Sequence, residues 1–345
     1  MNTIKIDKNM NITKFSCENI TWYNTKSNFQ VNGKMASSLL YSRLPDKIKT
    51  TKEIKYLAKH SSGLYIDFTT NSTSINLHIK TSSSSYMAHM TAIGQIGIDL
   101  YYKQNNNYIF IATTKIDQKE YLITLIKNLL PETRSFRLYL PLYITLEELE
   151  IGIDQNSTIQ SNTNIIKDKI VTYGTSITQG GCATRPGMSY PSILGRLINY
   201  EIINLGFSGN CHLNLEIAEQ ITTIKNLKYL IIEAEANIND PKIIKERLPL
   251  FLEILLNKIR NLNIIVISHF PDAFELIDEN TRKTRNETRK IQKDICEKYN
   301  CNFISGIDIL KEYSFDESVD GTHLTDLGFY KIATYLKNYI TDIDK

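Results

Sequence analysis

A serine, a histidine and an aspartate stand in this chain in settings that suit acyl transfer. Ser176 lies in Lys169-Ile-Val-Thr-Tyr-Gly-Thr-Ser-Ile-Thr-Gln-Gly-Gly181, where an apolar run (Ile170, Val171, Tyr173) gives way to small and polar residues. That pattern turns a serine out of the end of a buried strand and sets its hydroxyl beside a helix N-terminus, where it can act as a nucleophile. Asp320 and His323 form an Asp-x-x-His pair within Asp320-Gly-Thr-His-Leu-Thr-Asp-Leu-Gly328. Three residues apart in a tight loop, the carboxylate reaches the imidazole Nδ1, fixes the tautomer and leaves Nε2 free to take a serine proton. Thr325 and Asp326 are then left to cap the following helix. Two further positions offer donors to an oxyanion, alongside the backbone N–H of Ser176. Gly209 has no side chain to shield its N–H, and Asn237 carries a side-chain amide. A plain turn glycine, and a turn former helped by Asn239-Asp240-Pro241, are the structural alternatives at these two positions.

The elements that must position these residues change character along the chain. After Lys169, apolar runs at 170–173, 200–205, 229–232, 264–268 and 303–304 alternate with helical stretches at 190–199, 213–223, 242–261, 281–299 and 327–340. Continuous apolar strands separated by helices predict a parallel sheet covered on both faces, a five-stranded, doubly wound, three-layer α/β/α domain of flavodoxin-like type. Its ligand site belongs at the carboxyl ends of the strands. Ser176 follows strand one, Asn204-Leu-Gly-Phe-Ser-Gly-Asn210 follows strand two, and Glu233-Ala-Glu-Ala-Asn237 follows strand three. With Asp320 and His323 in the last loop, four polar clusters fall on one rim.

The first half reads differently. Leu64, Ile66 and Phe68, then Ile75, Leu77 and Ile79, alternate with polar neighbours, and 97–102 with 108–111 across Gln104-Asn-Asn-Asn107 reads as a hairpin. Many short antiparallel strands with one wet face predict a jelly-roll-like β-sandwich. Helical pattern is weak there, apart from a turn near Ile123–Leu130. The polar stretch 154–168 serves as linker, dividing the chain into a β-sandwich accessory domain at 1–160 and an α/β domain at 166–345. Ser82-Ser-Ser-Ser-Tyr-Met-Ala-His-Met90 reads as a loop entering a strand; alternatively, Tyr86 and His89 reach over the active site of the second domain.

Other residues near the rim have two readings each. Arg185 is either a surface loop arginine or a ligand for a substrate carboxylate, phosphate or sugar hydroxyl. His212 is a second candidate to line the pocket. Cys182 reads as a small loop residue, and His269, ending strand four, is a rival base to His323 without a carboxylate three residues before it.

Composition narrows the function classes. The 345 residues are 42% hydrophobic and 22% charged, with a net charge of +3. That is an ordinary globular balance, and without a basic stripe it indicates no nucleic-acid partner. The mixed-charge stretch 281–298 reads as the solvated face of a helix. The N-terminus Met1-Asn-Thr-Ile-Lys-Ile-Asp-Lys8 is polar and shows no signal peptide, no run is long enough to span a bilayer, and the five scattered cysteines fit a reducing cytoplasm.

The four rim clusters resemble the SGNH hydrolases, also called the GDSL esterase/lipase family, named for Ser, Gly, Asn and His in four sequence blocks. Here these are Ser176, Gly209, Asn237 and His323, with Asp320 completing the triad. Thr175 stands where the family's usual Gly-Asp-Ser has aspartate, and Glu233-Ala-Glu-Ala-Asn237 departs from the common Gly-x-Asn-Asp. The chain also looks like a bacterial subgroup with an N-terminal β-sandwich, on Ser42-Arg-Leu-Pro45, His60-Ser-Ser-Gly-Leu64, Arg137-Leu-Tyr-Leu-Pro-Leu-Tyr143, Thr184-Arg-Pro-Gly187 and the blocks above. The resemblance spans residues 20 to 340. It implies an esterase for acetylated carbohydrate or other short acyl esters, working through an acyl-enzyme without metal or cofactor. An acyltransferase on the same machinery, a carbohydrate-binding protein without catalysis and an FMN carrier are the competing classes. Short acyl groups are favoured because no long apolar lid is found. The partner expected is a small-molecule or carbohydrate ester, and the sequence does not define an oligomeric state.

Overall fold

The computed structural model describes residues 15–105, 107–163, 168–238, 240–311 and 314–344. The polar start Met1–Lys8, Asn106 of the expected hairpin turn, linker residues 164–167 and Asn239 lie outside these residues. Ten strands build the first part: β1 Ile20–Asn24, β2 Val31–Asn32, β3 Tyr65–Thr70, β4 Ile75–Thr81, β5 Asp99–Gln104, β6 Asn107–Thr113, β7 Glu120–Ile126, β8 Arg134–Tyr139, β9 Leu146–Asp154 and β10 Ile159–Ser161. They pair antiparallel into one sheet of order β1-β9-β4-β7 and another of order β10-β3-β8-β5-β6, with β2 beside β3. Alternation drives this arrangement, because successive strand residues face opposite sides. Ile66 and Phe68 of β3 and Leu77 and Ile79 of β4 face each other in one buried apolar cluster, which also holds Leu138 and Ile151.

Two sequence expectations fail in this part. The turn near Ile123–Leu130 is strand β7 up to Ile126, because Tyr121 and Ile123 alternate into the core. The stretch 82–90 leads into a helix, Ala92–Ile96, and not a strand. Thr91 Oγ1 accepts the Gly94 N–H at 2.9 Å and starts the helix there.

Five parallel strands build the second part: β11 Lys169–Gly174, β12 Glu201–Gly206, β13 Leu227–Glu233, β14 Asn263–Ile267 and β15 Asn302–Ile304, in the order β12-β11-β13-β14-β15. Helices Leu215–Ile221, Pro241–Lys258 and Glu279–Lys298 cover one face through Ile217, Phe251 and Ile295, packed on Val171, Leu205 and Ile232. Helices Tyr190–Leu197 and Asp326–Ile343 cover the other through Leu194, Phe329 and Ile332, packed on Ile170, Ile202 and Ile231. Neighbouring strand residues thus feed opposite layers, which is why these strands read as unbroken apolar runs. The chain leaves β11 toward β12 on one side and returns to β13 on the other, so the crevice of this sheet opens at the end of β11.

The two parts are joined by buried polar contacts. Arg43 is fully buried and donates to the carbonyls of His60 (2.9 Å), Leu57 (2.6 Å), Asn204 (3.2 Å) and Gly206 (2.6 Å). Burial pushes its guanidinium down to about 9. A planar fork with five donors suits such a cage of carbonyls, and it ties residues 43–60 to the carboxyl end of β12.

Candidate active site

Ser176 sits where β11 ends. Thr175 adopts extended backbone and accepts the Ile177 N–H through Oγ1 at 3.3 Å, so a single helical turn, Ser176–Gln179, starts at the serine. Gly174 admits this turn: a Cβ there would stand 2.0 Å from Thr178 Oγ1. The Ser176 carbonyl accepts the N–H groups of Gly180 (3.0 Å) and Gly181 (2.7 Å) and the Tyr143 hydroxyl (3.3 Å), which fixes the backbone under the side chain.

His323 Nε2 lies 2.9 Å from Ser176 Oγ, and its Nδ1 lies 2.8 Å from Asp320 Oδ2. Asp320 Oδ1 also accepts the backbone N–H groups of Thr322 (3.0 Å) and His323 (2.8 Å). Burial raises this carboxyl, but the His323 N–H and imidazole and the Thr322 N–H outweigh it and hold Asp320 below its ordinary value. A hydroxyl bonded to an imidazole that a carboxylate orients can surrender its proton as the oxygen attacks a carbonyl. The loop is pinned from outside by Val319 N–H to the His323 carbonyl (2.8 Å) and Thr325 N–H to the Glu317 carbonyl (2.7 Å). Thr325 stands at the helix N-cap, yet its hydroxyl bonds the Glu317 carbonyl and Asp326 binds Thr184, so neither supplies the side-chain cap expected.

The sheet register brings the other two blocks alongside. Gly174 pairs with Gly206 of β12 on one side and with Glu233 of β13 on the other. Gly209 therefore follows three residues beyond one flank and Asn237 four beyond the other. Gly209 has φ +68°, and a Cβ there would meet nothing within 4 Å, so its requirement for glycine is conformational. Asn237 Oδ1 accepts the Cys211 N–H at 3.1 Å, which turns Nδ2, the donor end, away from that contact.

The four residues expected to bind substrate divide. His89 stacks obliquely on His323, with ring centroids 5.6 Å apart. Tyr86 comes over the same edge, but its hydroxyl donates to the Tyr143 carbonyl at 3.2 Å. His212 is half-buried two positions before Asn214, whose Oδ1 accepts its N–H, and burial and then Arg247 lower its imidazole. Arg185 Nη1 donates to Asp99 Oδ2 at 2.8 Å and to the Tyr101 hydroxyl, and the guanidinium lies 3.7 Å over the Phe110 ring, so it ties the loop after the serine to the sandwich. Asp99, fully buried, also accepts the Gly187 N–H at 2.8 Å. The rival base His269 is likewise engaged. It is buried, its imidazole bonds the Phe270 carbonyl and its N–H bonds Glu235, and burial, then Arg285, pushes it down to about 3.

Two contributors escaped sequence reasoning. Glu233, the last residue of β13, accepts Thr175 N–H (3.1 Å), Thr175 Oγ1 (2.7 Å) and Thr178 Oγ1 (3.1 Å) on Oε2, directly beneath the serine turn. Gln179 Oε1 accepts the Ser208 N–H at 3.0 Å, holding the Gly209 loop against the same turn. Both lie in stretches the sequence marked as polar, and only their partners reveal the task. The basic stretch is partly a correction: Arg289 is buried and paired with Glu275 at 2.7 Å, whereas Arg282 and Lys283 are solvated. No helix among the described residues is long and apolar enough to cross a membrane.

Comparison with known proteins agrees with this architecture. The family model for the N-terminus of SGNH-hydro-type esterases, GxDLY, matches residues 20–159, and the chain carries that pattern as Gly97-Ile-Asp-Leu-Tyr101. Its Asp99 and Tyr101 are the partners of Arg185, so the pattern docks the loop that follows the serine. The GDSL-like lipase/acylhydrolase model matches residues 167–341. A protein of Bacteroides ovatus described as a GDSL-like lipase is 32% identical, covering 94% of this chain and 98% of its own, with TM-score 0.88. The salicylyl-acyltransferase SsfX3 from a tetracycline biosynthetic pathway shares the fold at 15% identity and TM-score 0.75, over 95% of this chain and 99% of its own. A family two carbohydrate esterase from Clostridium thermocellum, solved with cellohexaose, shares it at 12% identity and TM-score 0.56, over 81% and 91%. No curated protein matches. With both halves matched and a relative of this identity along nearly its whole length, the chain belongs to the GDSL-like lipase/acylhydrolase family and is a carboxylic ester hydrolase with an antiparallel β-sandwich ahead of its catalytic fold.

Proposed function

We propose that the protein cleaves short-chain acyl esters, acetylated carbohydrates among them, with Ser176 as nucleophile. The observation that carries this reading is the unbroken chain from Ser176 Oγ through His323 to Asp320, at 2.9 and 2.8 Å. His323 takes the serine proton as Oγ bonds the ester carbonyl carbon, and Asp320 stabilises the imidazolium. The oxyanion forms against the N–H groups of Ser176 and Gly209 and the Asn237 amide, each donor worth about 3–4 kcal/mol of barrier. The imidazolium then protonates the departing alcohol oxygen, leaving an acyl-enzyme that water, activated by His323, hydrolyses. The sandwich, read as residues 1–160 ahead of a catalytic domain at 166–345, acts as an accessory wall that brings Tyr86 and His89 over the site.

The exposed apolar residues Phe274, Leu276 and Ile277 lie on a single turn beyond β14, too short for the lid of a long-chain lipase. A cytoplasmic setting rests on the five unpaired cysteines. The test is turnover of a short-chain aryl ester by the wild type and by Ser176→Ala. The expected loss is roughly 10⁴-fold or more, and a variant that keeps wild-type turnover refutes the assignment. The same assay with sugar or alcohol acceptors separates the two acceptor classes that the carbohydrate esterases and the acyltransferase of this fold represent: an acylated acceptor in place of free acid makes the protein a transferase.

A further inference from the structure

We infer that the site is also a zinc-binding site, and that zinc switches the enzyme off. His89, Cys182, Asp320 and His323 each present a ligand atom, and these atoms all lie within 4.8 Å of one another. A tetrahedral zinc with bonds of about 2.0–2.3 Å separates its ligand atoms by roughly 3.3–3.8 Å, so side-chain rotations of an ångström or so close the set. Two imidazoles, a thiol and a carboxylate are the donor types zinc takes from proteins. The arrangement is already partly held: the Cys182 thiol meets the His89 carbonyl at 3.5 Å, and the His89 ring rests on that of His323. Cys182 has φ +71°, a left-handed conformation unfavourable for a residue with a Cβ, and it carries a thiol there although two glycines precede it.

The consequence follows from the imidazole. Zinc on His323 Nε2 displaces the Ser176 hydroxyl. Zinc on Nδ1 replaces the proton shared with Asp320 and leaves the remaining proton on Nε2, which then cannot accept one from serine. Either way the base is lost, reversibly. The ligand set spans both halves of the chain, since His89 comes from the sandwich, and zinc would clasp them over the serine. Inhibition rests on reading His323 as the base; metal binding does not.

Cobalt is the probe for binding and zinc the probe for inhibition. Titration of the full chain with Co²⁺ should give one bound ion with thiolate-to-cobalt absorption, absent in Cys182→Ser. Zn²⁺ should inhibit ester hydrolysis by the wild type at micromolar concentration, and Cys182→Ser, with near wild-type turnover in the absence of metal, should need at least a tenfold higher concentration. His89→Asn, read only by Co²⁺ affinity, should weaken binding by a similar factor and serves where the cysteine variant does not fold. An unchanged inhibition midpoint in Cys182→Ser, or cobalt absorption that is absent from the wild type or survives that variant, overturns the proposal. Absence of esterase activity would count against the triad reading alone, because the cobalt spectrum still decides the metal site.

Discussion

Glu233 should make the protein lose stability between mildly acidic and neutral pH, and Glu233→Gln should remove that loss. The carboxyl is fully buried at the end of β13, and burial raises it from 4.5 to about 7 although Thr175 and Thr178 donate three bonds to Oε2. Its Oε1 has no partner among the described residues. At pH below 4.5 both folded and unfolded chains hold the proton. Between 4.5 and about 7 the unfolded chain releases it and the folded chain keeps it, so stability falls as pH rises, and above that window the penalty is constant. The shift corresponds to about 3 kcal/mol. Glutamine is neutral throughout, so whatever fixed cost its amide carries at this position, the variant should gain about 2.5 kcal/mol on the wild type from pH 5 to pH 8. Denaturant unfolding followed by far-ultraviolet circular dichroism reads this. The fluorescence of the single tryptophan does not serve, because Trp22 lies in β1 of the sandwich. Wild-type and variant stability curves that run parallel across that pH range would refute the reasoning.

Two further outcomes are expected. Asp320→Asn should retain the fold and lower kcat by roughly 10⁴-fold, because an amide facing Nδ1 favours the wrong imidazole tautomer; a kcat loss below tenfold would count against the orienting role. Arg43→Met should cost about 1–3 kcal/mol in denaturant unfolding, since it leaves the Asn204 and Gly206 carbonyls behind the Gly209 loop without their buried donors; a loss below about 0.5 kcal/mol would mean that other groups take those carbonyls.

Sequence alone determined the layers and the rim. Period-two alternation around Ile66 and Leu77 specified a sandwich face, and unbroken apolar runs such as 170–173 specified strands buried on both sides, because burial imposes these periods directly on residue types. The order of polar clusters after strands one, two and three, with the Asp-x-x-His loop last, placed Ser176, Gly209, Asn237, Asp320 and His323 on one edge. Local chemistry was legible in the same way: an aspartate three residues before a histidine can meet it within one loop.

What only the tertiary structure decided were partners far apart in sequence. Arg185 could be read as a free loop arginine because Asp99, its partner, lies 86 residues away. Glu233 and Gln179 looked like ordinary polar residues until parallel pairing brought Gly174 between Gly206 and Glu233. The closeness of His89 and Cys182 to His323 depends on how a sandwich loop packs over the α/β rim. Composition and spacing do not encode such distances, because they are set by the packing of whole layers, and that packing is what turns a serine at a strand end into a neighbour of an oriented imidazole.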